Sequence, residues 1–245
     1  MTRRFGLIGK NIDYSFSRNY FDKKFEREKL KNNTYENFDI DTIDLFSTAV
    51  KTQKDICGYN VTIPYKQDII SHLDSLSKTA KKIGAVNTIR VTKKGNLKGY
   101  NTDWYGFYHS LKPLLKFHHK RALILGTGGA SKAVKYALKK LNIKYLQVSR
   151  TKTDKTITYS EITAELMQKY TIVINTTPLG TSPDIQNKPA LDYSLFSPRH
   201  IAYDLIYNPE QTSFMHHAKQ HGAIVKNGYE MLVLQAEKAW KIWNR

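Results

Sequence analysis

A glycine-rich turn between an apolar strand and a helix constrains the fold of this chain more than any other feature. Residues 122–125 are apolar and predict a buried strand, and a helix is predicted to follow to about Leu141. The turn between them contains Gly126, Thr127, Gly128, Gly129, Ala130 and Ser131. Glycines let a backbone approach a pyrophosphate, and a helix start offers unpaired N–H groups and a partial positive charge. The GxGG spacing is a weak signal alone, but with strands before and after it the turn predicts nucleotide binding.

Further strands after the turn predict the architecture of the second half. They are expected at residues 145–148, 171–175, 201–204 and 223–225, with helical segments between them. Strands that alternate with helices form a parallel sheet whose two faces are both covered. We therefore predict an α/β fold with a Rossmann domain in the second half.

The first half also alternates strands with helices. The predicted strands cover residues 4–8, 35–40, 56–63, 86–91 and 97–100, and the last two form a hairpin. The predicted helices cover residues 17–30, 41–52, 76–83 and 103–115. Pro64 is expected to open a short helix. His118 and His119 are expected to be surface residues on an exposed connector.

The residues after the second strand of the Rossmann domain indicate which nucleotide binds. An NAD site usually has Asp or Glu there, which binds the ribose 2′-hydroxyl. This chain instead has Val148, Ser149, Arg150, Thr151 and Lys152, with no acid. A guanidinium and hydroxyls suit a 2′-phosphate, so the pattern favours NADP over NAD. The alternative is that Arg150 is an ordinary loop cation on a basic protein.

The formal net charge of +18 allows two interpretations. Cationic proteins attract nucleic acids, acidic metabolites and phosphorylated cofactors. Lysines recur along the whole chain without a block of like charges, however, which favours solvated helix faces and no nucleic-acid partner. The chain start does not resemble a signal peptide, and no apolar run approaches the ~18 residues of a membrane span. Together with a single cysteine, Cys57, this predicts a soluble cytoplasmic protein without membrane contact or a metal site.

Three polar residues at the ends of predicted elements are candidates for chemistry. Lys66 follows a buried strand, Asn87 starts another strand, and Asp103 lies at a strand-to-helix corner. Hydride transfer at an alcohol carbon needs a group that exchanges the hydroxyl proton, and a lysine oriented by a carboxylate can do so. Taken singly, each residue also fits an ordinary role as a surface lysine, a turn residue or a helix cap.

Taken together, these residues lie in segments that resemble the shikimate dehydrogenase family from end to end. The segments, in the family's order, are SFS (15–17), NVTIPYK (60–66), GAVNT (84–88), NTD (101–103), GTGGA (126–130) and GYEMLVLQ (228–235). The resemblance implies an oxidoreductase that reversibly reduces 3-dehydroshikimate to shikimate with NADPH, in aromatic amino-acid biosynthesis. It also implies that Lys66 is the general acid/base and that Asp103 pairs with it at the reacting oxygen.

The resemblance implies two further groups of site residues. Those that bind the substrate carboxylate or ring hydroxyls are Ser15, Ser17, Thr62, Asn87, Tyr207 and Gln235. Those that bind the cofactor are Gly126, Thr127, Gly128, Gly129, Ala130, Ser149, Arg150, Thr151, Asn175, Thr176, Gly228 and Met231.

Four positions depart from the family's pattern. The family commonly has Pro at Asn11, His at Tyr14, and Gly at both Trp104 and Glu230. Because Tyr14 adjoins the serine segment, we expect it to affect substrate affinity or preference. Trp104 follows the proposed catalytic carboxylate, so we expect it to reshape the site.

The implied organisation is a substrate-binding and catalytic domain of residues 1–103, completed by 230–245, and an NADP-binding Rossmann domain of residues 104–229. The substrate is expected between them, in a monomer or homodimer. One alternative is a quinate or quinate/shikimate dehydrogenase; these often favour NAD, so the missing acid near Arg150 argues against it. A second is a nucleic-acid-binding protein, which the absence of a recognised binding motif disfavours. A third is a catalytically idle, ligand-sensing relative, which the presence of both Lys66 and Asp103 disfavours.

Overall fold

The computed structural model describes residues 2–13 and 15–245, and of Ala49 only the backbone. These residues divide into two units. One contains the chain up to Thr102 together with Ala236–Arg245, and the other contains Asp103–Gln235. None of the helices in these ranges carries an apolar stretch of the length that a membrane crossing requires.

The first unit is built on a mixed sheet. Its strands are β1 (Arg3–Gly9), β2 (Asn33–Asp39), β3 (Ile56–Val61), β4 (Ser75–Leu76), β5 (Thr88–Val91) and β6 (Leu97–Tyr100). They lie in the order β2-β1-β3-β5-β6-β4. Strand β1 is parallel to β2 and β3, whereas β5 is antiparallel to β3 and β6. The helices α1 (Phe16–Arg27) and α2 (Lys78–Ile83) lie in the connections.

Apolar side chains form two clusters with this sheet, as the alternation along β1 requires. Ile8 belongs to one cluster, and its neighbours Phe5 and Leu7 belong to the other. The second cluster includes Trp243 from the end of α7 (Tyr229–Trp243). The Trp243 indole donates to the carbonyl oxygen of Ile89 over 2.9 Å. Gly58 makes room for that ring, because a Cβ there would lie 2.2 Å from it.

The second unit contains a parallel sheet. Its strands are β7 (Arg121–Leu125), β8 (Lys144–Ser149), β9 (Thr156–Thr158), β10 (Ile172–Asn175), β11 (Ile201–Asp204) and β12 (Ile224–Lys226). Its helices are α3 (Asp103–Leu111), α4 (Gly129–Lys140), α5 (Ala164–Lys169), α6 (Ser213–Gln220) and the first part of α7. The strand order is β12-β11-β10-β7-β8-β9, and each pair of neighbours is parallel.

Both faces of the parallel sheet are covered by apolar side chains, which confirms the predicted Rossmann architecture. Along β7, Ala122 and Ile124 belong to one cluster, whereas Leu123 and Leu125 belong to another. Strands β10 and β11 are buried along their whole length. A strand buried on both sides reads as a continuous apolar run, which is why these strands were predictable.

Three local predictions were wrong, and two short strands were not predicted. The unpredicted strands are β4, of two residues, and β9, of three residues. The helix expected over 41–52 is limited to a π-helical turn at Phe46–Val50. The short helix expected at Pro64 begins instead at Asp68. The helix expected over 103–115 ends at Leu111 and is followed by a 3₁₀ turn at Lys112–Leu114. This turn contains Pro113, which cannot donate a helical hydrogen bond.

His119 was predicted to lie on the surface, but it is buried. Its Nδ1 accepts from the Lys116 amide over 2.8 Å, and its Nε2 faces the Arg199 carbonyl at 3.0 Å. His200 has the same arrangement, with the Ser197 amide and the Met167 carbonyl each at 3.0 Å. Because Nδ1 must accept and Nε2 must donate, both rings are neutral. Burial lowers the pKa of each histidine below its usual value of 6.5.

Acid is therefore expected to destabilise the second unit through these two histidines. Because the pKa of each histidine is lower in the folded protein, the unfolded chain is protonated at these two residues at a higher pH than the folded one. The contribution of the neutral histidines to the free energy of unfolding is therefore complete above pH 6.5 and is lost as the pH falls below it. We expect the double variant His119→Asn, His200→Asn to lose less stability than wild type between pH 7.5 and pH 5.5, because an Asn oxygen replaces Nδ1 and does not titrate. The measurement is the urea midpoint at each pH.

Asp204 contributes to the pH dependence of stability with the opposite sign, and this contribution cancels when the double variant is compared with wild type. Burial raises the pKa of Asp204 to about 6, which favours the folded state at low pH in both proteins alike. The matched control is His221→Asn, because His221 is exposed in the same unit. An unchanged pH dependence in the double variant would contradict the assignment.

Candidate active site

A series of buried hydrogen bonds joins the sequence segments of the first unit. We call it the polar chain, and its members are Ser17, Tyr35, Asn60, Asn87, Thr88 and Thr102. The Tyr35 hydroxyl donates to Asn60 Oδ1 over 2.8 Å and is hydrogen-bonded to the Ser17 side chain. Asn60 Nδ2 then donates to the Asn87 carbonyl at 3.1 Å and to the Thr88 hydroxyl at 3.3 Å. The polar chain thus connects α1, β2, β3 and β5.

Asn87 has a fixed orientation within the polar chain. Its Oδ1 accepts from the backbone N–H of Thr102 over 2.6 Å, and its Nδ2 donates to the Thr102 hydroxyl at 3.0 Å. Thr88 also donates to the same Oδ1, at 3.1 Å. A backbone N–H can only donate, so the oxygen and nitrogen of the Asn87 amide are unambiguous. The predicted substrate-binding amide is therefore held by the strand-to-helix corner that leads to Asp103.

Lys66 lies in the turn after β3 and is half-buried. Its carbonyl accepts from the Val86 amide at 2.7 Å, which joins the lysine segment to the segment that carries Asn87. The neighbouring Tyr65 is buried and donates its hydroxyl to the Ile40 carbonyl over 2.6 Å. Thr62 begins the same turn and packs against Gly9, because a Cβ on Gly9 would lie 2.6 Å from the Thr62 methyl group. The turn is thus anchored at Lys66 itself and at residues before it.

The two serines lie at the start of α1. Ser15 is the N-cap, and its hydroxyl accepts from the Ser17 amide over 3.2 Å. Ser17 also belongs to the polar chain through Tyr35. The structure therefore brings one predicted carboxylate-binding residue into the same hydrogen-bonded system as Asn87.

The loop before the serines explains one departure from the family's pattern. Asn11 has a φ of 54°, which proline cannot adopt. Its amide donates to Asp39 Oδ1 at 2.9 Å, and the Ile12 amide donates to Asp39 Oδ2 at 3.0 Å. A carboxylate on β2 therefore holds this loop. Tyr14, the other departure in this loop, lies outside the described residues.

Three of the residues predicted for catalysis or substrate binding lie in the second unit. Asp103 is buried and is the first residue of α3. Gln235 is buried on α7, and Tyr207 is half-buried after β11. Lys66 and Asp103 thus belong to different units. Trp104, the departure next to Asp103, packs edge-on against Tyr136 of α4 with ring centroids 5.3 Å apart.

The glycine turn has the geometry of a phosphate cradle. Gly126 has a φ of 101°, and a Cβ there would lie 3.0 Å from the Thr176 hydroxyl. Gly128 is the N-cap of α4, and a Cβ on Gly128 or Gly129 would meet nothing within 4 Å. Backbone N–H groups therefore border open space at a helix start, where an anion is stabilised.

The loop after β10 is held by buried polar contacts. Asn175 Nδ2 donates to Asp204 Oδ1 over 3.1 Å, and its Oδ1 accepts from the Thr177 amide and hydroxyl at 3.0 and 2.7 Å. The Thr176 hydroxyl donates to the Leu125 carbonyl at 2.6 Å, beside Gly126. Asp204 also accepts from the Thr212 hydroxyl at 2.7 Å. Asn175 is thus fixed from the strand side, and Thr176 borders the glycine turn.

The segment after β8 presents polar groups to solvent. Ser149 is half-buried, and its hydroxyl accepts from the Thr151 amide at 3.3 Å. Arg150 is exposed, whereas Lys152 forms an ion pair with Glu161. The guanidinium and the hydroxyls lie on one short loop, as a 2′-phosphate site requires.

Gly228 and Met231 have structural roles in the second unit. A Cβ on Gly228 would lie 2.0 Å from the Leu205 carbonyl oxygen, so only glycine fits this close backbone approach. Met231 is buried in the core and packs against Gly106 of α3. Glu230, a departure from the family's pattern, forms an ion pair with Lys226.

Several residues that organise the site were not predicted. They are Tyr35, Asn60, Thr88, Thr102, Asp39, Asp204 and Gln147. The available signal was a polar residue within an apolar strand, as Asn60 is in β3. Such a residue is usually hydrogen-bonded when it is buried.

A doubly wound parallel sheet with a glycine turn at the start of α4 defines the class of dinucleotide-binding enzymes with a Rossmann domain. Comparison with known proteins identifies the particular family. Residues 7–89 match the family model described as the shikimate dehydrogenase substrate binding domain.

Relatives extend this match to nearly the whole chain. The NADP(+) shikimate dehydrogenase of Caldanaerobacter subterraneus subsp. tengcongensis is 36% identical over an alignment of 260 positions, which covers 99% of this chain and 91% of the relative. The crystal structure of shikimate dehydrogenase from Aquifex aeolicus is 36% identical with a TM-score of 0.86, covering 99% of this chain and 92% of that one. The Thermus thermophilus enzyme in complex with NADP(H) and shikimate is 30% identical with a TM-score of 0.87, at 99% and 93% coverage. The chain belongs to the shikimate dehydrogenase family.

The polar chain predicts a large cost for removing the Thr102 hydroxyl. We expect Thr102→Val to lower the free energy of unfolding by about 1–3 kcal/mol, because the buried Asn87 amide loses an acceptor while the side-chain volume is kept. The measurement is urea unfolding. Thr34→Val is the matched control, since Thr34 is exposed on β2, and it should stay within about 0.5 kcal/mol of wild type. Equal effects of the two substitutions would contradict the role of the hydroxyl.

Proposed function

We propose that this protein catalyses the reversible NADP-dependent oxidation of shikimate to 3-dehydroshikimate, a step of aromatic amino-acid biosynthesis. The observation that carries the proposal is that the polar chain joins four of the family's segments, 15–17, 60–66, 84–88 and 101–103, while a fifth, 126–130, forms the glycine turn at the start of α4. We place the reaction in the cytoplasm, where biosynthetic reactions draw on NADPH, and assign it to a monomer or homodimer.

The second unit fits an NADP molecule. The open backbone from Gly126 to Ala130, with Thr127 between the glycines, suits the pyrophosphate at the start of α4. Ser149, Arg150 and Thr151 supply a cation and hydroxyls for the 2′-phosphate, and residues 149–152 contain no acid of the kind that binds a ribose 2′-hydroxyl in NAD sites. We assign the nicotinamide side to Asn175, Thr176, Gly228 and Met231. When bound, the cofactor accepts or supplies a hydride.

Short polar side chains suit a substrate that is an anion with several hydroxyls. We assign Ser15 and Ser17, at the start of α1, to the carboxylate, because a helix start favours negative charge. Tyr207 is assigned to the same carboxylate. Thr62, Asn87 and Gln235 are assigned to the ring hydroxyls. Asn87 supports this role because its amide orientation is already fixed by Thr102, so binding needs no reordering of that side chain.

Lys66 is proposed to exchange the proton of the reacting hydroxyl. In the oxidation direction it accepts the hydroxyl proton as the carbon loses a hydride, and in the reduction direction it returns that proton to the carbonyl oxygen. Asp103 is proposed as the carboxylate that pairs with the lysine and orients it. The anchored turn around Lys66 supports this role, because catalytic groups need a rigid base.

The direct test is absorbance at 340 nm with purified protein, shikimate or quinate, and NADP or NAD, in all four pairings. We expect rapid NADPH formation with shikimate, and much slower reaction in the other three pairings. Dominant activity with quinate or NAD would contradict the proposed substrate or the proposed role of Arg150. Silence in all four pairings would contradict the function.

Replacing Lys66 separates chemistry from binding. We expect Lys66→Ala to lower kcat by about 10²–10⁴-fold while KM for shikimate changes far less, because the lysine acts mainly on the transferred proton. The measurement is steady-state kinetics at saturating NADP. Lys94→Ala, at the exposed hairpin turn of the same unit, is the matched control and should behave as wild type. Near-normal turnover of Lys66→Ala would exclude the acid/base role.

A further inference from the structure

Gln147 is a buried polar residue of the parallel sheet, on the strand next to the edge strand β9. It lies on β8, between Ile124 of β7 and Thr156 of β9 in the strand register, and only 8% of it is exposed. Its Nε2 donates to the carbonyl oxygen of Gly126 over 2.8 Å and to the hydroxyl of Ser131 over 3.2 Å. Its Oε1 accepts from Lys135 Nζ at 3.2 Å. One side chain therefore contacts the glycine turn and two positions of α4.

The partners of Gln147 fix the orientation of its amide. A backbone carbonyl can only accept, and a lysine ammonium can only donate. The Nε2 group must therefore face Gly126, and Oε1 must face Lys135. The amide group is hydrogen-bonded at both ends, as a buried amide requires.

The contact to Gly126 determines where the backbone donors of the turn point. In a trans peptide the C=O and the following N–H point in opposite directions. Since the Gly126 carbonyl faces Gln147, the Thr127 N–H faces away from it. Likewise, the Gly128 carbonyl accepts from the Ser131 hydroxyl at 2.7 Å, so the Gly129 N–H faces away from Ser131. Ser131 is itself held by Gln147.

We propose that Gln147 is a positioning residue for the cofactor: it holds the carbonyl of Gly126 and the hydroxyl of Ser131, keeps the N–H groups of the glycine turn directed at the dinucleotide phosphates, and thereby sets the affinity for NADP(H). The inference rests on the proposed role of the glycine turn. Gln147 was not among the residues that the family resemblance pointed to, and it acts through the backbone without touching the substrate.

Lys135 is the obvious competing explanation, because it places a half-buried cation beside the same side chain. Burial and the nearby Lys132, Lys139 and Lys155 lower the pKa of Lys135. If this cluster of charge set the cofactor affinity, Gln147 would matter only as a partner of Lys135. The two explanations differ in the group of Gln147 that cofactor affinity requires: Nε2, which donates to Gly126, or Oε1, which accepts from Lys135.

Two variants separate these explanations. Gln147→Met keeps the length of the side chain and removes the donor to Gly126 and Ser131. Lys135→Met removes the ammonium and leaves those two contacts in place. The measurement is the dissociation constant of NADPH from the change in its fluorescence, together with kcat, KM for shikimate and the thermal midpoint. Gln168→Met, an exposed glutamine of the same unit, is the matched control.

We expect Gln147→Met to weaken NADPH binding about tenfold, as for the loss of a well-placed hydrogen bond in a binding site, with kcat and KM for shikimate within about twofold of wild type. Lys135→Met and Gln168→Met should stay within about twofold of wild type in NADPH affinity. A purely structural role would lower the thermal midpoint and leave the dissociation constant of the folded protein unchanged.

The inference is overturned if Gln147→Met binds NADPH like wild type, or if Lys135→Met weakens binding as much as Gln147→Met does. Failure of the proposed function would look different. In that case the wild-type protein would not reduce NADP with shikimate. The NADPH titration would still show whether Gln147→Met changes the affinity of the glycine turn for the cofactor.

Discussion

The hydrogen bond from the Thr102 amide to the Asn87 side chain is the contact on which the first unit's site depends. It is 2.6 Å long, and both residues are buried. A backbone N–H cannot rotate away, so the Asn87 amide has one orientation, and through Thr88 and Asn60 that orientation extends to Tyr35 and Ser17. An unmade bond at any buried member would cost the desolvation of that group, so the fully paired arrangement is favoured over any partly paired one. The segments before Lys66 and Asp103 therefore take their positions together.

The second unit uses the same physical means on a different scaffold. Apolar side chains cover both faces of the parallel sheet. Strands β10, β7 and β8 are parallel neighbours, so their carboxyl ends lie at the same end of the sheet. Two buried polar groups then direct the loops at that end: Asp204 holds Asn175, and Gln147 holds the glycine turn. The apolar core supplies the general architecture, whereas single hydrogen bonds decide which way the backbone donors point. Burial makes those bonds strong, and it also raises the pKa of Asp204 to about 6.

The sequence predicts elements well where one local pattern decides them. Strands β10 and β11 are continuous apolar runs, and their prediction was nearly correct at both ends. The site is less predictable because its contacts join residues far apart in the chain, such as Tyr35 with Asn60 and Asn175 with Asp204. No periodicity reports such pairs. His119 shows the same limit: adjacent histidines read as a surface feature, yet the Arg199 carbonyl, eighty positions away, accepts from one of them in the interior.

Three of the four departures from the family's pattern, those at Asn11, Trp104 and Glu230, have partners within the described residues. Asn11 adopts a left-handed backbone that proline could not, and Asp39 supplies a carboxylate for the amides that this conformation presents. Trp104 follows Asp103, and its ring packs on Tyr136 of α4. Glu230 is paired with Lys226. In each case a partner within the same unit satisfies the added amide, ring or charge. We therefore expect Lys66 and Asp103 to keep the roles proposed for them in proton exchange.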